Sequence, residues 1–241
     1  MPEYNYISLS HWVDENTPTY NNNGFFKRQS VTKIANGRTS NSESWEFNNH
    51  IGTHIDYPYH FYSNGKTSSD LPKFLIYNNI SIIIYQEDVL PNQIIKAEDL
   101  FESISKLDKR LEVLILKTGF QKYRNTEIYW KNNPGYDENL YDLFKSRFPC
   151  LKIFGIDTIS LTSVNSKEIG AKAHRKFLNS NDEILIIEDL DLEAVNFAMI
   201  PNQLIIAPLL ISKTDGTPVN CILQHSISHK YNSYNFIPNV I

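Results

Sequence analysis

Cysteine is scarce in this chain: two thiols in 241 residues, Cys150 and Cys221, far apart and outside any Cys-x-x-Cys pair. They provide neither a disulfide framework nor a thiolate metal site, and read as buried free thiols in a protein of the reducing cytoplasm. Long apolar runs are missing too. Leu204–Ile211, the longest near the end, falls well short of the roughly 20 residues that cross a bilayer, and it contains Pro208. The opening MPEYNYISLSHWVDE carries acids and no apolar core, so no signal peptide is expected there. Basic excess is also absent, since 23 Lys and Arg against 27 Asp and Glu leave a formal charge of -4. With a pI near 6.0 the chain offers no basic face to phosphates, and neither nucleic acid nor membrane is expected as a partner. Internal repeats, low-complexity tracts and linkers long enough to separate two domains are lacking as well.

What remains is an ordinary globular composition, 41% hydrophobic and 21% charged, in a chain long enough to bury a substantial core. Runs of β-branched and aromatic residues predict strands at Tyr4–Leu9, Trp45–Ile51, Ile80–Tyr85, Leu111–Leu116, Leu151–Gly155, Ile184–Ile187, Gln203–Leu210 and Val219–His225. Ala97, Leu100, Phe101, Ile104 and Leu107 make one apolar stripe at helical spacing, and Tyr136–Phe148 and Ser166–Leu178 also read as helices. Asp14–Gly24 and Asn125–Pro134 read as exposed loops. Strand and helix alternate in the middle and strands dominate both ends. That order predicts one α/β domain over residues 1–241 with a mixed, partly closed sheet.

Three of the seven histidines fall within one short stretch, His50-Ile-Gly-Thr-His54-Ile-Asp56-Tyr-Pro-Tyr-His60. Imidazole and carboxylate at this density are ligands for zinc, manganese or iron. In an extended segment, residues at even offsets share a face, so His50, His54 and Asp56 are expected to point the same way. Gly52 permits a bulge or close backbone approach beside them, and Pro58 stiffens the exit that aims His60 back at the cluster. Tyr57, Tyr59 and Phe61 flank the ligands as walls for a flat substrate or as ordinary packing.

The pattern His-x-Gly-Thr-His-x-Asp-x-Pro-x-His resembles the signature of the metal-dependent cyclase/formamidase family, which includes bacterial kynurenine formamidase and isatin hydrolase. Further landmarks are Leu116-Lys-Thr-Gly119, Gly155-Ile-Asp157 followed by Ser160, Ile187-Glu188 followed by Leu190, and the hairpin Asp215-Gly-Thr-Pro-Val219. The resemblance implies a swivelling β/β/α fold and a homodimer. It implies a first metal on His50, His54 and Asp56, a second on His174 and Glu188 with shared carboxylates, and His60 as proton donor and acceptor. On the residues alone, His174 sits late in a helix beside Arg175 and Lys176, where a solvated His is common, whereas Glu188 ends an apolar run that would bury its charge. Asp182, Glu183, Asp189 and Asp191 read as surface charge, and His11, His225 and His229 as structural or surface residues. Trp12, Trp45 and Trp130 read as core or pocket wall.

Where the family's formamidases carry Trp-Pro-Gly-Asp, this chain has Thr17-Pro-Thr-Tyr20-Asn-Asn, which makes Tyr20 the expected substrate contact, reaching an active site at a dimer interface. Asn220 stands where an Arg is frequent. The expected activity is hydrolysis of a small non-peptide amide, arylformamidase-like, taking N-formyl-kynurenine to kynurenine and formate. One or two divalent ions, zinc or alternatively manganese, would serve it. The alternatives are a cyclic-amide hydrolase of the isatin type, a dehydrating cyclase, or a non-catalytic metal-binding protein, the last disfavoured by His60.

Overall fold

A computed structural model describes residues 5–85, 87–179 and 181–227. Chain order begins with β1 (Asn5–Ser8), then a hairpin of β2 (Phe26–Thr32) and β3 (Ser42–Phe47), then the three-residue β4 (His54–Asp56). There follow β5 (Leu75–Tyr77), β6 (Ile80–Ile84), β7 (Ile94–Ile95), α1 (Ala97–Ser105), β8 (Val113–Lys117), α2 (Glu127–Lys131) and β9 (Gly135–Tyr136). The chain continues with α3 (Asn139–Arg147), β10 (Ile153–Ile156), α4 (Lys167–Phe177), β11 (Leu185–Glu188), β12 (Met199–Pro208) and β13 (Gly216–Ile227). No helix among the described residues is long and apolar enough to cross a membrane.

The main sheet runs β5-β12-β13-β4-β11-β10-β8-β6, with β1 also paired to β13. Strands β11, β10, β8 and β6 are parallel, while β5, β12, β13 and β4 pair antiparallel, as does β4 with β11. Strands β12 and β6 also approach within 8 Å, so the sheet is mixed and nearly closed, as the strand and helix order predicts. Strand β4 is where the parallel half meets the antiparallel half, and it carries the central residues of the histidine motif.

Both halves follow from their side chains. The parallel strands read as continuous apolar runs (Val-Leu-Ile-Leu, Ile-Phe-Gly-Ile, Leu-Ile-Ile) and are buried on both faces, as strands covered by helices must be. Phe144 of α3, Phe154 of β10 and Phe177 of α4 are wholly buried and pack edge-to-face or stacked at centroid distances of 5.1 to 6.0 Å. Each removes enough apolar surface to contribute about 1.5–3 kcal/mol, which fixes α3 and α4 against the sheet. Strands β12 and β13 instead alternate buried and accessible positions, the mark of a sheet with one wet face.

Several local expectations give way. Trp45–Ile51 is not one strand: β3 ends at Phe47 and the chain bends before the histidines. The β2–β3 hairpin is solvent-covered along its length, because few of its residues alternate cleanly between polar and apolar, so Trp45 is 63% exposed and Trp12 is 95% exposed, neither in the core. Cys221 is buried, but Cys150 is exposed, because Phe148 and Leu151 take the inward positions on either side of it. The Asp14–Gly24 loop is not wholly exposed, since Pro18 and Thr19 are buried and turn Tyr20 inward. Asn125–Pro134 contains α2, whose Tyr129 is wholly buried.

Asp189 is not surface charge. It is buried, sits at φ +52°, and takes a two-point ion pair from Arg124 (Nε–Oδ1 3.0 Å, Nη2–Oδ2 2.7 Å) plus the Tyr129 hydroxyl at 2.6 Å. Glu183 likewise pairs with Lys66 rather than standing free. His229 lies outside the described residues.

Arg124→Met should therefore strand a buried carboxylate and cost about 3–5 kcal/mol, read as a lower denaturant midpoint at unchanged slope. A loss below about 1 kcal/mol would mean that the pair does not hold this loop.

Candidate metal centre

Cross-strand register assembles the site. His54 lies opposite Glu188 across β4 and β11, and Asp56 follows two residues on, so the three side chains share one face. His54 Nδ1 sits 2.8 Å from the carbonyl of Gly52 and carries the proton there, which turns Nε2 toward Glu188 Oε2 at 3.4 Å and Asp56 Oδ1 at 3.6 Å. His174 comes from α4, behind this face. Its Nδ1 donates to the carbonyl of Gly170 at 3.0 Å, with the Thr162 hydroxyl also at 3.0 Å. Its Nε2 is thereby left 3.2 Å from Glu188 Oε1 and 3.7 Å from Asp56 Oδ2. The backbone N–H of Leu161 and the hydroxyl of Ser160 donate to Glu188 Oε1 at 2.6 and 3.2 Å, holding the carboxylate in place.

His50 joins by a different route than alternation along a strand. Residues 50–53 are bent rather than extended, and Gly52 stands at φ +61°, where a Cβ would lie 2.8 Å from Val13 Cγ2. The bend folds the half-buried His50 ring back over β13. There Nδ1 meets Asp56 Oδ1 at 2.8 Å and Nε2 meets Asp215 Oδ2 at 3.0 Å. Gly216 makes room for it: a Cβ at that position would fall 2.3 Å from His50 Cε1. Pro58 opens the short 3₁₀ turn Pro58–His60, and His60 stacks 4.2 Å from His50 with its Nδ1 2.8 Å from Asp215 Oδ2.

Three sets of ligand atoms each lie within 4.8 Å of one another: His50, His54 and Asp56; Asp56, His174 and Glu188; and His50, His60 and Asp215. The first two sets share Asp56 and comprise all five residues expected to hold metal. Asp215 is new to the site. In the sequence it stands only as the first residue of the Asp215–Val219 landmark, 155 residues from His60, with nothing there to mark it as a site residue. His11 and His225 join none of these sets.

The electrostatics are those of buried anions in need of positive charge. Burial and the neighbouring Asp56 charge both oppose ionisation of Glu188, yet hydrogen bonds from His174 and His54 hold it down at about 2. Asp56 is likewise held well below the usual carboxylate range, burial being outweighed by His50 and His174. The histidines shift the other way. Burial disfavours their protonation, but Asp56 and Asp215 carry His50 up to about 10, and Asp56 with Glu188 carries His174 up to about 9. In the metal-free chain, ring protons thus supply the positive charge that two buried carboxylates require.

A cavity of about 360 Å³ opens onto these groups, walled by Tyr20, Phe61 and Ile159 with Lys167 among its lining. Phe61 stacks on the His174 ring at 4.7 Å and 16°. Tyr57 lines a separate cavity and Tyr59 is exposed, so Phe61 alone of the three flanking aromatics faces the site. Tyr20 lines the cavity from its own chain. Its buried hydroxyl has no hydrogen-bond partner among the described residues, and burial with the Glu188 charge pushes it up to about 12.

Comparison with known proteins places the chain in a family. Residues 7–163 match the family model "Putative cyclase". A kynurenine formamidase of Bacillus thuringiensis subsp. konkukian is 30% identical over 230 residues, covering 90% of this chain and 99% of the relative. Isatin hydrolase A of Labrenzia aggregata superposes with a TM-score of 0.74 at 16% identity, over 92% of this chain and 94% of that one. A potential metal-dependent hydrolase with cyclase activity does so at 0.70 and 17% identity, over 94% and 100%. At these identities the two structures speak to the fold.

The His50 contacts rest on Gly216. In metal-free protein, Gly216→Ala should push the ring off both carboxylates, and its titration, followed by NMR of the Cε1 proton, should fall from about 10 toward 6.5. The sign follows from linkage: a raised histidine pKa contributes stability that is complete below the unfolded value of about 6.5 and is lost as pH rises toward 10. The variant should therefore lose less stability than the wild type between pH 7 and 10. An unmoved His50 titration would show that the ring does not depend on this close approach.

Proposed function

The chain belongs to the cyclase family, and from that premise we propose that it is a metal-dependent hydrolase of small aromatic amides, closest in activity to an arylformamidase. It acts on a carbon–nitrogen bond other than a peptide, with N-formyl-kynurenine as the first candidate and kynurenine and formate as products. One observation carries the reading: two buried carboxylates, Asp56 and Glu188, face three imidazoles whose other ring nitrogens are all tied to protein acceptors.

That donor set fits a divalent ion. It offers nitrogen and oxygen without thiolate, which suits zinc and, alternatively, manganese. His50, His54 and Asp56 would hold one ion, and His174 and Glu188 with the shared Asp56 a second. The chemistry a divalent ion supplies in such a place is polarisation of a carbonyl and activation of water at neutral pH.

The chain's own residues do the rest. Phe61 and Tyr20 wall a cavity in which a flat ring can lie, so that the amide carbon faces the cluster. His60 borders the same cavity with Nδ1 committed to Asp215, leaving Nε2 for the substrate side. It accepts a proton from water as the new carbon–oxygen bond forms, then returns that proton to the nitrogen as the carbon–nitrogen bond breaks. One water is consumed, and a carboxylic acid and an amine leave.

Purified protein should contain about one to two zinc or manganese ions per chain, and His54→Ala combined with Asp56→Ala should remove them. Elemental analysis that finds wild type metal-free, and unable to take up metal on dialysis, would sink the proposal.

His60→Ala should keep its metal while turnover on N-formyl-kynurenine or the best member of a panel of formanilides and cyclic amides falls roughly 10²–10⁴-fold. Reduced metal content with a rate restored by excess metal would make His60 a ligand instead. A preference for the cyclic amides would move the reading to an isatin-type hydrolase on the same residues.

A further inference from the structure

Asp215 is half-exposed, lies outside the five proposed ligands, and yet receives hydrogen bonds from two site histidines on a single oxygen. Oδ2 accepts from His50 Nε2 at 3.0 Å and from His60 Nδ1 at 2.8 Å. A carboxylate oxygen has two lone pairs, so it can serve both donors at once. The carboxylate is itself held. Asn49 Nδ2 donates to Oδ1 at 2.7 Å, and the Tyr57 N–H donates to the Asp215 carbonyl at 2.9 Å. Asn49 also donates to the Gly216 carbonyl at 3.2 Å, fixing its own amide between the two. The His50 and His60 rings stack 4.2 Å apart, so one anchored oxygen sets the orientation of both.

We infer that Asp215 is the positioning residue of this site, a carboxylate that imposes opposite tautomers on two neighbouring histidines. Donation from Nε2 leaves His50 to present Nδ1 to Asp56 and the metal position. Donation from Nδ1 leaves His60 to present Nε2 to the substrate. Which ring nitrogen of a histidine carries its proton is set by the bond the other makes, and here one acceptor makes that choice for a ligand and for the proposed proton carrier together. Gly216 belongs to the same device, because only a residue without a side chain lets His50 lie across β13 within reach of Asp215.

The inference rests on the proposed amidase reading only for its kinetic consequence; the tautomers are a property of the metal-loaded protein without substrate. Asp215→Asn is the informative change. An amide in the same place offers one uncharged oxygen, and its NH₂ would face the donor NH₂ of Asn49. Zinc-loaded wild type and variant, labelled with ¹⁵N-histidine, should be compared by long-range ¹H–¹⁵N correlation at about pH 8.5, where unshifted imidazole is neutral. Wild-type His60 should carry its proton on Nδ1, the reverse of free histidine, and Asp215→Asn should shift it toward Nε2. With a substrate in hand, kcat should fall about 10- to 100-fold, the usual cost of losing an outer-shell carboxylate, with KM changing less than about threefold. Asn49→Ala, which frees Oδ1 alone, should move both readouts the same way by less, and it decides the matter if Asp215→Asn does not fold. Wild-type His60 protonated on Nε2, or an Nδ1 tautomer that survives both substitutions, overturns the inference. If no amide is turned over, the functional reading falls, while the spectra, recorded without substrate, still decide the role of Asp215.

Discussion

Two carboxylates side by side in a protein interior set the terms for everything around them. Asp56 and Glu188 are both almost fully buried, and their like charges would drive one of them to take up a proton if nothing positive met them. The fold supplies three imidazoles instead. Each imidazole is pinned by a hydrogen bond at its far nitrogen: His54 to Gly52, His174 to Gly170 and His50 to Asp215. The near nitrogens therefore have no freedom to turn away. Such an arrangement is costly to build unless a cation or a pair of protons occupies its centre, and a divalent ion satisfies it with the rings neutral.

The sheet explains why the carboxylates can be held so close. Strand β4 is only three residues long and has a partner of each kind beside it, β13 from the antiparallel half and β11 from the parallel half. Register with β11 puts His54 opposite Glu188, and register with β13 puts Asp56 opposite Gly216, the one residue that leaves space for His50. A polarity change in a sheet is also where crossover helices stop covering one face. Here α4 covers the parallel half and delivers His174 to its edge. The buried Asp189–Arg124 pair secures the turn immediately after Glu188, so the ligand-bearing strand end is anchored on both sides.

Much of this was legible from residues near one another in sequence. The strand and helix order was enough for a mixed α/β sheet, because continuous apolar runs and a helical stripe report burial directly. The eleven-residue histidine segment pointed to a cluster able to hold metal because its residue types are rare together. Alternation, however, misdescribes how it works: it accounts for His54 and Asp56, whereas His50 arrives through the bend at Gly52. His174 and Glu188 were proposed mostly through resemblance, the residues themselves adding only that the apolar run before Glu188 would bury its charge. Asp215 stood in a recognised landmark but carried no ligand-like neighbours, and only the fold brought it beside Tyr57 and the histidines. Asp189, Trp12 and Trp45 were misread for a common reason. Residue type says whether a side chain prefers water, but a buried Arg partner or an unsupported hairpin decides where it ends up.

Chemistry and selectivity are separated in this architecture. The cluster stands on β4, β11 and α4, and its His54, His174 and Glu188 side chains are each held by a backbone carbonyl or N–H that substitution does not easily alter. The cavity wall is built otherwise. Tyr20 hangs from an Asn-rich loop and Phe61 from the segment after a 3₁₀ turn, both on connections that tolerate change. A side-chain exchange at position 20 can therefore alter which ring fits without disturbing the groups that cleave the bond. On the proposed amidase reading, the Tyr at this position, where formamidases of the resembling family carry a Trp, would bear on the choice of substrate and leave the reaction class intact. Its buried hydroxyl, lacking a protein partner among the described residues, is a hydrogen-bond donor that an indole of different shape would place elsewhere. A substrate with an acceptor in that position would satisfy the Tyr20 hydroxyl, and one without it would bury the hydroxyl unpaired, which is how a single wall residue turns into specificity.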